Sequence, residues 1–280
     1  MAARVIRNVV LIACMGLILT GCGRQVSQDP SQDPDLLATG PDPGSSPVPR
    51  PFIAASIEAA GGLPAWTQCT KIQFGAIVTA NYPDGGLYLT EHAFTLYPWS
   101  NAIRAEAGEP FARFTWQVVQ GRYSFEGDEQ VDVSPLRGSY PDYSEAVLQI
   151  VTAPIRVLAE GVSLSRRAQS VQLAGQWYQP IDARYEPRQV VSKEKGSKKK
   201  QVTLVEPSWT QGTYFQNQDT PFMDMIWLGN PVAGKFVLVR GYDYSRPSDS
   251  EVLIPTKIEV FQSGPQAECG PRIALIDLKR

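Results

Sequence analysis

The sequence predicts a mainly β protein of the α+β class, and three observations favour this class. From Ile72 onward, apolar side chains fall on every second residue, which is the period of a strand with one buried face. Aromatic residues make up 10% of the chain and charged residues 19%, a composition that suits strands more than helices. Residues 141–161 depart from this pattern, because their apolar positions recur at helical spacing. Residues 51–280 are therefore expected to form one β-rich domain with a few helices.

The elements can be predicted in chain order. Residues 53–60 form a short amphipathic helix that ends at Gly61-Gly62, just before Pro64. A hairpin turn at residues 83–86 joins the first two strands. One or two helices, interrupted by Pro154, lie within 141–161. Strands are predicted at 72–82, 87–97 and 104–107, around Phe114, Trp116 and Val118, and at 122–133, 177–185, 202–205, 212–216, 223–228, 235–244, 252–262 and 272–278. A meander is the economical topology for them.

Residues 1–21 are predicted to be an export signal. Arg4 and Arg7 give it a positive start, and residues 9–19 are apolar but too few to cross a bilayer core of ~30 Å as a helix. Leu-Thr-Gly then precedes Cys22, and this box resembles the bacterial lipoprotein signal. The resemblance implies cleavage before Cys22, diacylglycerol on its sulfur, and acylation of the new N-terminus by a fatty acid such as palmitate. An ordinary signal peptide with an incidental cysteine is the alternative.

Residues 22–50 are expected to tether the domain to a membrane outside the cytoplasm. They are dominated by Gln, Ser, Asp, Pro and Gly, and they lack the apolar content that would repay the entropy of folding. As extended polyproline II the segment would reach roughly 85 Å. Gly23 stands where an aspartate would favour the inner membrane. By resemblance to enteric sorting rules, the anchor is therefore expected in the outer membrane of the cell envelope, facing the periplasm.

Two cysteines remain after the signal and the lipid site are set aside, Cys69 and Cys269. In an exported chain they are expected to form a disulfide. The bridge would close a loop of about 200 residues, a constraint that the chain-entropy model values at roughly 5 kcal/mol. Two buried free thiols are the alternative.

Charge and motifs exclude several classes of function. The formal net charge of −2 gives no global reason to bind nucleic acid. His92 is the one histidine, expected to be a surface or packed residue, and it has no second histidine with which to build a metal site. Nucleophile-elbow, Walker and dinucleotide motifs are absent from the sequence. We therefore expect neither a cofactor nor an enzyme, although an envelope hydrolase with residues scattered on loops remains an alternative.

The densest charge run in the chain is basic, and we expect it at an exposed hairpin tip. Such tips are most often only solvated. Beside a membrane, each charge near anionic lipid contributes up to about 1 kcal/mol of attraction. A contact with lipid headgroups or with an acidic partner is therefore a hypothesis for five lysines: Lys193, Lys195, Lys198, Lys199 and Lys200.

The predicted order of a helix, a long meander, a helical interruption and further strands resembles the lipoprotein carrier and receptor family (LolA/LolB-like). The residues that carry the resemblance are Ala59-Ala60-Gly61-Gly62 with Trp66, the Asp84-Gly85-Gly86 hairpin, and residues 254–258. The resemblance implies a half-barrel, that is, a curved antiparallel sheet with a few helices covering its concave side. The basic tip and residues 206–221 look like additions to the compact form of the family.

The resemblance further implies a membrane-anchored, non-catalytic protein that binds a lipid or the acyl chains of a lipoprotein. By strand alternation, eight side chains are expected to face the ligand cavity, although ordinary core packing would give the same pattern: Ile72, Phe74, Val78, Tyr82, Phe114, Trp116, Val118 and Trp177. The first alternative is an envelope module with a filled core, which senses stress or acts as a scaffold by binding another protein.

Overall fold

The computed structural model describes residues 50–81, 85–109, 112–127, 140–193 and 200–279. Within these ranges the helices are α1 (Pro51–Ala59), α2 (Gly62–Gln68), α3 (Tyr140–Val151) and α4 (Ala153–Arg156). The strands are β1 (Ile72–Asn81), β2 (Leu87–Tyr97), β3 (Ala102–Glu109), β4 (Ala112–Val119), β5 (Arg122–Glu126), β6 (Val162–Arg166), β7 (Val171–Leu173), β8 (Gln176–Tyr185), β9 (Arg188–Lys193), β10 (Lys200–Val205), β11 (Gln211–Asn217), β12 (Met223–Asn230), β13 (Lys235–Ser245), β14 (Ile254–Ser263) and β15 (Cys269–Leu278).

Thirteen of these strands form one antiparallel sheet, in the order β5-β4-β3-β2-β1-β15-β14-β13-β12-β11-β8-β6, with β7 also paired to β8. Most neighbours in the sheet are consecutive in the chain, so the predicted meander is confirmed. The pairing of β15 with β1 brings the two ends of the domain together in the middle of the sheet. The sheet is open, since β5 and β6 lie at its two ends. The predicted fold class, a mainly β protein with a large antiparallel sheet and a few helices, is confirmed.

The sheet curves around α3. This helix contacts β3 and β4 as well as β12, β13 and β14. In a flat sheet, β3 and β13 would lie roughly 24 Å apart, about twice the diameter of a helix. The concave face therefore wraps the helix, and nearly all side chains from Tyr143 to Val151 are buried in the main core. A smaller apolar cluster lies on the convex face, where Tyr178, Phe215 and Trp227 pack together.

Several elements differ from the sequence prediction. Gly61-Gly62 ends α1 as predicted, but α2 starts at once, because Pro64 is tolerated in the first turn of a helix. β3 runs from Ala102 to Glu109, two residues beyond the predicted 104–107 at each end, and the short strands β6, β7 and β9 were not predicted. The first 49 residues, with Cys22, and residues 128–139 lie outside the described residues.

The disulfide predicted between Cys69 and Cys269 is not formed. Cys69 is buried, with its sulfur 3.7 Å from the hydroxyl of Ser250, whereas Cys269 is exposed at the start of β15. The physical reason is strand direction. Because β1 and β15 are antiparallel, Leu278 lies toward the start of β1, and Cys269 is nine residues further along, on the order of 30 Å away. A disulfide needs Cα atoms within about 7 Å.

Gly61→Ala is expected to lower the free energy of unfolding by about 2–3 kcal/mol. Gly61 has φ +110°, and a Cβ there would lie 2.9 Å from the carbonyl oxygen of Glu251. Gly85→Ala is the matched control: its φ of +86° is also positive, but nothing lies within 4 Å of the added Cβ, so it should lose only about 1 kcal/mol. Urea unfolding followed by circular dichroism measures both. Equal losses would contradict the close approach of this turn to the loop before β14.

Candidate functional site

Six of the eight side chains predicted to face a ligand lie on the concave face. Tyr82 lies outside the described residues. Trp177 is 50% exposed, because it stands beside the β7–β8 turn at the end of the sheet. The other six contribute to the main core, and Phe74 is the least buried of them: Ile72, Phe74, Val78, Phe114, Trp116 and Val118. The alternation of strand residues therefore placed these side chains on the correct face of the sheet.

The part of the concave face beneath α3 is aromatic. We call the side chains of His92, Phe94, Phe114 and Trp116 the aromatic floor. The His92 and Trp116 rings are 4.8 Å apart and meet edge to face, and the Phe114 and Trp116 rings are 5.9 Å apart. His92 lies on β2 and Trp116 on β4, and the rings reach each other because β3 presents only alanines, Ala105 and Ala107, between them. Small residues on the middle strand thus give room to large ones on its neighbours.

The N-terminal half of α3 is joined to this floor by hydrogen bonds between side chains. Nε2 of His92 lies 2.8 Å from the hydroxyl of Tyr143, and the two rings are also stacked. The indole N–H of Trp116 donates to Oγ of Ser144 over 2.8 Å. All four side chains are buried. The floor is therefore apolar in bulk but holds two polar atoms that bond side chains of the helix.

An ion-pair cluster fixes the same half of the helix from the other side. The ammonium of Lys235, at the start of β13, lies 2.7 Å from the carboxylate of Asp142 and 3.5 Å from that of Glu145. It also sits 4.5 Å from the centre of the Trp209 ring, a cation–π contact. Further along the helix, the amide of Gln149 donates to Asn101 over 3.3 Å.

Burial shifts the pKa of two groups in this contact in different ways. Desolvation lowers the pKa of His92 to about 4, only partly opposed by a hydrogen bond with the backbone of Glu91. The imidazole is thus neutral at neutral pH. Desolvation raises the pKa of Glu145, and the nearby Lys235 and Ser208 act against this rise. Burial therefore disfavours the charged form of both groups, His92 on the sheet side and Glu145 on the helix.

The contact between α3 and the floor is closed in this structure. Tyr143 is 0% exposed and Trp116 1%, so neither side chain is open to solvent. A cleft of about 40 Å³ lies nearby, between α3 and the segment before β11. This volume holds on the order of three water molecules, so it cannot take an acyl chain. The residues lining the cleft include Asn101, Gln120, Glu145, Gln149, Arg156, Glu186 and Trp209.

The sequence did not single out Tyr143, Ser144, Glu145, Gln149 or Lys235 as site residues. The apolar spacing of α3 was visible, but its partners are on strands far away in the chain. The sequence did hold one signal. In α3, polar Ser, Glu and Gln residues stand among the apolar residues of a helix that packs against the core, so their side chains need polar partners there. His92 is packed in the interior, which is one of the two placements that the sequence analysis expects for it.

The two described ends of the basic run, Lys193 and Lys200, lie at one end of a two-stranded ribbon. β9 and β10 pair only with each other, and Lys193 is opposite Lys200 in the register. Lys195, Lys198 and Lys199 lie outside the described residues. Within the described ranges, no group of three or more His, Cys, Asp or Glu side chains could hold a metal ion. In the same ranges we find no helix with the length and apolar character needed to span a bilayer.

No family model and no curated protein matches the chain. Three solved structures are similar to it. A LolA superfamily protein from Nitrosomonas europaea is 9% identical, with a TM-score of 0.43 over 82% of this chain and 90% of that one. A DUF1329 family protein from Desulfovibrio piger is 8% identical, with a TM-score of 0.43 over 84% and 92%. A domain described as an outer membrane lipoprotein-sorting protein, from Vibrio parahaemolyticus, is 7% identical, with a TM-score of 0.38 over 75% and 83%. At such low identity and TM-score, a likeness does not assign a function.

His92→Gln is expected to reduce the loss of unfolding free energy that the protein undergoes as the pH falls from 7 to 4. The unfolded chain binds a proton at His92 near pH 6.5, whereas the folded chain does so only near pH 4. The stability that neutral His92 contributes is therefore complete above pH 6.5 and is lost as the pH falls toward 4. Between pH 7 and 4 the natural protein should lose on the order of 3 kcal/mol more than the variant, in which an amide can still bond Tyr143.

Urea unfolding at a series of pH values measures this difference. Glu145 acts in the opposite direction, because its pKa is raised in the folded state, but it is present in both proteins and cancels. Parallel profiles for the two proteins would contradict a buried, neutral His92.

Proposed function

We propose that the protein is an envelope lipoprotein that binds an apolar ligand, such as a lipid or the acyl chains of a lipoprotein, between the N-terminal half of α3 and the aromatic floor. One observation carries this proposal: a curved sheet presents an aromatic floor, and the first turns of the helix that covers it are joined to the domain by side-chain hydrogen bonds and ion pairs in addition to apolar packing. Water can replace these bonds when the helix moves, whereas nothing in water replaces the apolar contacts of the floor.

An acyl chain has the chemistry to take the place of the helix on this floor. Removing apolar surface from water gains ~25 cal/mol per Å² and needs no directional partner. No catalytic group is needed for such binding, so the proposal includes no enzymatic activity and no cofactor. Acylation of Cys22, followed by a tether up to residue 50, would hold the domain beside the membrane that supplies the ligand.

A second candidate is an interaction module with a filled core, an envelope scaffold or stress sensor that binds another protein. The closed packing of Tyr143 against Trp116 favours it, because the floor has no vacant volume in this structure. The two candidates differ in one property. Only the first requires that the N-terminal half of α3 can leave the floor.

Lys235→Met should tighten the binding of an apolar probe if α3 must move. The change removes the cation that pairs with Asp142 and Glu145, so it weakens the closed state. Each 1.4 kcal/mol lost from the closed state raises the apparent affinity about ten-fold, as long as that state predominates. The measurement is titration of a non-lipidated Cys22→Ala chain with a naphthyl dye that fluoresces in apolar surroundings, followed by displacement with palmitoylglycerol.

Lys257→Met is the matched control, since it breaks a lysine ion pair with Asp243 on β13 that does not involve α3. It should leave the affinity for the dye unchanged. If neither the natural sequence nor Lys235→Met binds the dye or palmitoylglycerol, the ligand-binding proposal fails and the filled-core module stands.

We also propose that the ribbon of β9 and β10 contacts anionic lipid headgroups through its tip. Replacing Lys193, Lys195, Lys198, Lys199 and Lys200 by Gln should weaken sedimentation of the non-lipidated chain with vesicles of phosphatidylglycerol, most clearly at low salt. The triple control Lys71→Gln, Lys257→Gln and Lys279→Gln removes charges elsewhere on the domain. An equal loss per lysine in both variants would mean that overall charge, and not the ribbon, accounts for the binding.

A further inference from the structure

The aromatic floor contains polar atoms at a defined place, and this bears on which ligands it can accept. Nε2 of His92 and the indole N–H of Trp116 are both buried, and their rings are only 4.8 Å apart. Their bonds to Tyr143 and Ser144 lie within one turn of the helix. A ligand that displaces this turn removes both bonds at once.

A pure hydrocarbon cannot replace either bond, so it would leave buried polar atoms with fewer partners than in the closed state. A carbonyl oxygen can accept the hydrogen bond that Trp116 now donates to Ser144. A hydroxyl beside that carbonyl can bond Nε2 of His92 in either tautomer, and an amide N–H can donate to Nε2 when this nitrogen carries no proton. Burial keeps this imidazole neutral, so it offers no positive charge to compensate a carboxylate.

We propose that Trp116 and His92 are specificity-determining residues that select acyl chains joined through a neutral ester or amide, over free fatty acids and over hydrocarbon chains without a carbonyl. The inference rests on the proposed function, because the pair faces a ligand only when the first turns of α3 are displaced. In the bound state the ligand carbonyl lies at the position of the Ser144 hydroxyl, and the chain extends over Phe114 and Phe94.

Two probes with the same chain and the same headgroup test this selection. 1-Palmitoylglycerol has an ester carbonyl, and 1-O-hexadecylglycerol has an ether in its place. Equilibrium dialysis of the Cys22→Ala chain below the aggregation limit of each probe should give an ester affinity about ten-fold above that of the ether, the effect of one buried hydrogen bond. Palmitate should bind more weakly than the ester.

Trp116→Phe keeps an aromatic ring but removes the N–H donor both from the closed state, where it bonds Ser144, and from the ester complex. The ester affinity should therefore stay about the same and the ether affinity should rise to match it, so the ratio falls to near one. Trp227→Phe is the matched control, because it removes a buried indole N–H that donates to Gly264 on the convex side. It should keep the ten-fold ratio. A ratio near one in the natural sequence, or the same ratio in Trp116→Phe, would overturn the inference.

A second measurement uses the Trp116 side chain itself and does not depend on how well that variant folds. The indole N–H resonance of Trp116 in a nitrogen-15 correlation spectrum should stay near its hydrogen-bonded position with the ester and move upfield with the ether, because only the ester supplies an acceptor in place of Ser144. Equal shifts with both probes would also overturn the inference. If neither probe binds at all, the proposed function has failed, and that result is distinct from binding without selection.

Discussion

The contact between α3 and the concave face of the sheet is the interaction on which the rest of the structure depends. An open sheet whose two end strands do not pair with each other cannot bury its own concave face. The helix solves this problem because it contacts β3 and β4 as well as β12 to β14. The curvature of the sheet, the aromatic floor and the burial of the helix on nearly all sides follow from that one contact.

The contact is unusual in its polarity. Tyr143, Ser144, Glu145 and Gln149 are all buried on the helix, where a packed core would suffice with apolar side chains. Polar bonds add little net stability, but each one fits a single partner, so they fix the rotation and the depth of the helix. They also lose less than apolar contacts when water enters. A helix held in this way is well defined when docked and less costly to release.

The sequence predicted the parts of this arrangement that depend on local periodicity. Alternation placed Phe114 and Trp116 on the buried face, and helical spacing identified α3. It could not reveal the bond between His92 and Tyr143, because these residues are 51 positions apart and their pairing depends on how far the sheet curves. The expected disulfide was wrong for a related reason, since the direction of β15 separates Cys269 from Cys69. The alternation of side chains along a strand can be predicted from neighbouring residues, whereas strand order and sheet curvature depend on contacts between distant parts of the chain.

If the proposed function holds, the free energies of ligand exchange would favour long acyl chains, and two chains over one. Burying a sixteen-carbon chain gains up to ~12 kcal/mol. Exposing Tyr143 and Val147 as the first turns of α3 leave costs about 3–6 kcal/mol, and association itself costs at least ~4 kcal/mol. One chain therefore retains only a few kcal/mol. A second chain on the same headgroup adds its burial without a second cost of association, so a diacyl ligand would bind this floor far more tightly than a monoacyl one.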